Sequence, residues 1–249
     1  MFDNISIPTI LVSYVALLFS LSVHEASHAS MAYWLEDDTA ARLGRMTLNP
    51  IAHMDLLGTF VFPILGMATG FPFIGWAKPV PVDPRKLTRR FTQRVGYAFV
   101  ASAGPLSNLI QAVLFLGLLF LVVKAVAPVA QDEYQLFLFS MKAWKVEYLQ
   151  RLQLGTAATI SLALLSRLVW INLGLALFNL LPMGPLDGAG ILRGFLPWRW
   201  LPKFDRAQPW MGGILIVLAL TGLLGYVLGP VFGLVFYGIE SVARLVLHF

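Results

Sequence analysis

With 249 residues, 58% of them hydrophobic and only 12% charged, the chain is too apolar for a soluble domain and reads as a polytopic membrane protein. Its net charge of +5 comes from basic loops between long charge-free stretches, the pattern of a protein oriented in a bilayer and not of one bound to nucleic acid. The absence of cysteine excludes disulfides and thiolate metal sites, so any metal has to be held by His, Asp or Glu.

The N-terminus, Met1-Phe2-Asp3-Asn4, lacks the basic region of a signal peptide, so the first apolar segment is expected to be retained. That segment runs from about Ile7 to Trp34 and contains His24-Glu25-Ala26-Ser27-His28. On a helix, two histidines four residues apart project from one face. Imidazoles so placed can bind one zinc ion, and the intervening glutamate reaches the open side of the metal to take a proton from water. At 1.5 Å per residue His24 lies roughly 25 Å from the start of the segment, inside a hydrocarbon core about 30 Å thick. Ionisable groups at that depth are costly, so three in five positions demand a functional explanation. The plainer alternative is a polar helix end with solvated histidines. Asp3 precedes the segment and Arg42 and Arg45 follow it, which places the motif near the cytoplasmic face.

Glu36, Asp37 and Asp38 are expected to end this helix on the water side, and Arg42–Thr47 reads as a short strand. Leu48-Asn49-Pro50 breaks regular structure, and His53 follows it in a loop, with Asp55 placed to orient it. A loop histidine is either simply solvated or, facing the same cavity, a donor to a developing oxyanion. The apolar stretch from residue 58 to about 76 is interrupted by Pro63, Gly66, Gly70 and Pro72. A full crossing would put Lys78, Arg85, Lys86, Arg89, Arg90 and Arg94 outside, so a segment that dips into the membrane and returns is preferred. Lys78-Pro79-Val80-Pro81-Val82 reads as an extended strand or loop, able to pair with an unwound substrate as an added strand.

A second span is expected from about Val95 to Val126, with Gly104-Pro105 inside it. The proline either makes a kink with small residues for close packing, or opens space and aims Asn108 at the metal, as a first candidate for an oxyanion donor. Residues 127–155 carry balanced charge and suit an outside loop, with Met141 to Leu154 as an interfacial amphipathic helix. A third span ends at Asn179, with Arg167 snorkelling to the outer interface. Asn172 and Asn179, seven residues apart, share a helix face and either hydrogen-bond a substrate backbone or glue helices together. The break Leu181-Pro182-Met183-Gly184-Pro185 then leads to Asp187. Alone, Asp187 reads as a helix N-cap; at a depth matching His24 it reads as the third metal ligand. Two last apolar segments, about Pro209–Leu224 and Tyr226–Leu247, look like a closing hairpin.

The residues HEASH at 24–28, AGPLSN at 103–108 and FNLLPMGPLDG at 178–188, with GRMTLNPIAHMDLLGTF and GWAKPVPVDPRKL between them, resemble the site-2 protease family of intramembrane zinc metalloproteases, in its compact prokaryotic branch. The resemblance covers about residues 15–195 and implies that His24, His28 and Asp187 hold Zn2+ and that Glu25 is the catalytic base. Asn108 matches the asparagine of the family's GPxxN motif and Asn179 that of N-x-x-P-x-x-x-LDG. Many members carry a span ahead of the HExxH helix and a PDZ-like insertion; neither is expected here from the residues given.

The expected fold is an all-α polytopic membrane protein: about five transmembrane helices plus a membrane-dipping or β-hairpin segment, in one membrane-embedded domain. Its core spans about residues 5–195 and its terminal hairpin about 209–247. The expected function is cleavage, inside the inner membrane of a prokaryotic cell, of a single-span protein such as a membrane-tethered transcription regulator or anti-sigma factor. The alternative is a membrane metal-ion transporter or sensor using the same ligands, in which Glu25 is dispensable.

Overall fold

The computed structural model describes residues 7–69, 75–130, 141 and 155–246. Among them all regular structure is helical: α1 Ile7–Trp34, α2 Thr39–Arg42, α3 Pro50–His53, a π-helical turn Leu56–Val61 running into α4 Phe62–Thr69, α5 Gln93–Ala130, α6 Thr156–Asn179, α7 Asp187–Phe195, α8 Leu201–Leu220 and α9 Leu223–Val246. The core is a bundle in which α5 packs along α1, α6 and α7, and α1 also touches α6. Four helices are long and apolar enough to cross a membrane: Ile7–Trp34, Gln93–Val126, Thr156–Asn179 and Leu223–Val246.

The serines of α1 are compatible with an apolar surrounding because their hydroxyls return to carbonyls one turn back, Ser22 to Leu18, Ser27 to Val23 and Ser30 to Ala26, each at 2.7 Å. Its buried face is mostly small, with Ala16, Ser20, Ala29 and Ala32, which lets α5 approach closely. The helix ends where Glu36 adopts a φ of 77° and the Asp37 N–H turns back to the Ala32 carbonyl at 2.9 Å. The short α7 lies against α5 through close backbone contact. A Cβ on Gly194 would stand 2.4 Å from that of Ala98, and one on Gly188 would meet the Leu181 carbonyl oxygen at 2.3 Å. The two-pronged pair of Arg193 with Asp205, at 2.8 and 2.9 Å, ties α7 to α8 and holds the Asp205 carboxyl below its usual range.

Several expectations are corrected. Arg42–Thr47 is no strand: α2 occupies Thr39–Arg42 and a turn through Gly44 follows. Of the strand or loop expected at residues 78–82 the loop forms, because Pro79 and Pro81 cannot donate to a ladder and the neighbouring amides bond to helix ends and side chains. The stretch 56–69 is helical, and Asp55 does not orient His53; its carboxylate caps the π turn at Leu57 N and Gly58 N. The fourth expected span, about Pro209–Leu224, falls on the second half of α8, whose first half carries Lys203, Asp205 and Arg206; this helix is not among the four long and apolar enough to cross. Arg167 does not snorkel outward: it is 4% exposed and its Nε donates to Ser13 Oγ at 3.1 Å. The interfacial helix expected at Met141 to Leu154 lies, beyond Met141, outside the described residues.

Candidate metal centre

His24 and His28 face α5 from one side of α1, as their four-residue spacing requires. His24 Nδ1–H donates to Asn108 Oδ1 at 2.6 Å, and His28 Nδ1–H donates to the Val100 carbonyl at 2.7 Å. These bonds set the tautomers, so both Nε2 atoms carry lone pairs, and they face each other 3.1 Å apart. Asp187 Oδ2 closes the triangle, 3.2 Å from His24 Nε2 and 3.4 Å from His28 Nε2, buried and without a hydrogen-bond donor of its own. Asp187 is not the cap of α7, as that position belongs to Leu186; it is the first helical residue.

Three acceptors at these separations repel one another unless a positive charge stands among them. A second proton on an imidazole supplies one. A metal ion supplies it better. The sides of the triangle, from 3.1 to 3.4 Å, match the edge of roughly 3.3 Å of a tetrahedron built on bonds of about 2.0–2.1 Å. The residues therefore fit zinc in ligand type, spacing and tautomer.

Space for the group depends on Gly104 of α5. A Cβ there would lie 2.4 Å from His28 Nε2 and 2.6 Å from His24 Nε2. Glu25 is 8% exposed and lines a cavity of about 610 Å3 together with His24, His28, Asp187, Tyr97 and Asn179. Residues 75–82 form much of the opposite wall, and Gly212, Leu215 and Ile216 of α8 contribute another side. Glu25 Oε2 accepts the Val80 N–H at 3.0 Å.

Three expected site residues do not face the cavity. Asn108 does not aim a donor at the cavity. It is fully buried, its carbonyl oxygen is taken by His24, and its amide donates to Asn172 Oδ1 at 2.7 Å. Asn172 is likewise fully buried and donates to Ser20 Oγ at 2.9 Å and the Leu168 carbonyl at 2.8 Å, so of its two expected roles the geometry matches the joining of helices, here α1, α5 and α6. His53 is 2% exposed, lies off the cavity and donates from Nε2 to the Thr47 carbonyl at 2.8 Å. Asn179 does line the cavity, with its amide on the Leu175 carbonyl at 2.9 Å. Reasoning from sequence missed the Val100 carbonyl, which no side chain announces, and Gly104, whose position one turn before Asn108 was the available signal.

A histidine pair one helical turn apart, a glutamate between them and a carboxylate from a distant element define a metalloprotease-type centre, here set among membrane-length helices. The chain belongs to peptidase family M50, the site-2 protease family, which it matches over residues 12–222. It is a multi-pass membrane protein of that family. It is 37% identical over 235 residues to "Putative zinc metalloprotease YwhC" of Bacillus subtilis (strain 168), covering 93% of this chain and 89% of the relative. It is 27% identical over 208 residues to "Putative zinc metalloprotease Rip2" of Mycolicibacterium smegmatis, covering 83% of this chain and 66% of the relative. No solved structure matches the chain.

Proposed function

We propose that the protein is an intramembrane zinc endopeptidase that cleaves the transmembrane segment of a single-span protein near the cytoplasmic face of a prokaryotic inner membrane. The observation that carries this reading is the convergence of His24 Nε2, His28 Nε2 and Asp187 Oδ2, all acceptors, beside Glu25 on the wall of one cavity. His24, His28 and Asp187 would hold a zinc ion there, which would supply Lewis acidity, bringing the pKa of a bound water towards about 7. Glu25 takes the proton of the attacking water and returns it to the leaving amine. Asn108 and the Val100 carbonyl hold the imidazoles in the tautomer and orientation that ligation needs. Asn179 offers its amide oxygen to the main chain of an unwound substrate. Because a helix hides its carbonyls in its own hydrogen bonds, the bound segment is extended at the point of cutting. Membrane-tethered transcription regulators and anti-sigma factors are substrates of the right topology.

A metal transporter needs a series of ligand sites along a pathway, and among the described residues one such group is found. The deciding experiment is Glu25→Gln with a single-span substrate in vesicles. A protease loses cleavage and keeps one zinc per chain; undiminished function in the variant removes the proteolytic reading.

A further inference from the structure

The segment 75–83 has no regular structure, yet it is tied down along its length. Trp76 donates its N–H to the Gly58 carbonyl at 3.0 Å and accepts Thr59 Oγ1 at 2.8 Å. Lys78 N–H goes to the His53 carbonyl at 2.9 Å, and Asp83 N–H goes to the buried carboxylate of Asp37 at 2.7 Å. Between these anchors sits Val80, whose N–H meets Glu25 Oε2. Prolines flank it on both sides, so Val80 carries the one main-chain donor in residues 79–81, and the two fixed φ angles stiffen its setting. The clamp nearest to Val80 is Arg45: its Nη2 donates to the Lys78 carbonyl at 2.7 Å and approaches that of Pro79 at 3.4 Å.

A glutamate side chain has three torsions, the last of them broad, and a general base must present one chosen oxygen to the water. A second hydrogen bond on the other oxygen removes that freedom. We propose that the segment 75–83 is a positioning strap for the general base: Arg45 holds the strap, and the strap sets the Val80 N–H on Glu25. Arg45 is thus a positioning residue, remote from the substrate. The inference rests on the proteolytic reading and adds to it how the base is oriented.

The test uses the full chain in vesicles with a single-span substrate, comparing wild type, Arg45→Ala, Arg45→Lys and Glu25→Gln. Arg45→Ala is expected to lower kcat by ~10–100-fold, since small misplacements of a catalytic group cost that much. KM is expected to change far less, within about threefold, because Arg45 does not itself line the cavity and acts through the base. Zinc content stays unchanged, and Arg45→Lys, which keeps one donor, falls between. A second readout needs no activity. The chain has no cysteine, so Val82→Cys gives a single reporter on the strap. Its labelling by a maleimide is expected to speed up about tenfold or more when Arg45→Ala is added, as a freed segment opens more often. An unchanged or raised kcat, a loss confined to KM, zinc lost in step with activity, or an unaltered labelling rate each overturns the proposal. Equal cleavage by wild type and Glu25→Gln overturns the proteolytic reading instead, and the labelling rate then still decides whether Arg45 holds the strap.

Discussion

Asn108 Oδ1 stands 2.6 Å from His24 Nδ1, and the same amide donates to Asn172 Oδ1 at 2.7 Å. The asparagine therefore works behind the metal site. Its carbonyl accepts the imidazole proton, and its fixed amide decides which way round it sits. Asn108→Leu is expected to weaken zinc binding by about 10–100-fold, the usual cost of losing such a support. Asn108→Asp keeps an acceptor for His24 and is expected to hold zinc more tightly than the leucine variant, while setting a carboxylate against Asn172 Oδ1 and lowering stability. Zinc titration of the purified variants, with thermal unfolding alongside, separates the two effects.

Gly104 is needed for room. A methyl group at that position falls within 2.4 Å of His28 Nε2, and the helix backbone on either side leaves it nowhere to go. Gly104→Ala should abolish zinc binding. Gly117, on the same helix, faces open space, and Gly117→Ala should leave zinc content and activity as they are. Metal analysis of the pair checks the claim, and equal zinc in both would contradict it.

His53 lies off the cavity and supports the loop. Its ring is buried and holds the Thr47 carbonyl, while its own carbonyl anchors Lys78. In His53→Ala the main-chain anchor survives and the Thr47 carbonyl loses its donor, at a cost of about 1–3 kcal/mol. The expected outcome is a lower Tm with kcat within about threefold of wild type. A kcat reduced a hundredfold at unchanged Tm would restore His53 to the reaction.

The grouping of His24, His28 and Asp187 was legible because helical spacing is arithmetic: four residues put His24 above His28, and counting residues along each apolar segment matched Asp187 to them. Asn108 was legible as a member of the site but not in its direction. An amide can donate or accept, and only the packed neighbours, His24 and Asn172, decide which end points where. Asn172 and Asn179 share a helix face in sequence, yet one is closed in by Ser20 and Asn108 and the other opens on the cavity. The stretch around Val80 has the look of a strand, but its partners are helix ends and side chains, which no local pattern announces. Arg167 was expected to reach outward because charge usually does; its side chain is buried instead, with a hydrogen bond to Ser13 on α1.

The central claim is that Asp187 completes a zinc site with His24 and His28. X-ray absorption at the zinc edge, on the purified full chain, tests it most directly. The account predicts one zinc per chain with two nitrogen ligands at about 2.0–2.1 Å and carboxylate oxygen at about 2.0–2.2 Å, and loss of the carboxylate contribution in Asp187→Ala. A protein that cleaves its substrate without zinc, or a zinc spectrum that Asp187→Ala leaves unaltered, would contradict it.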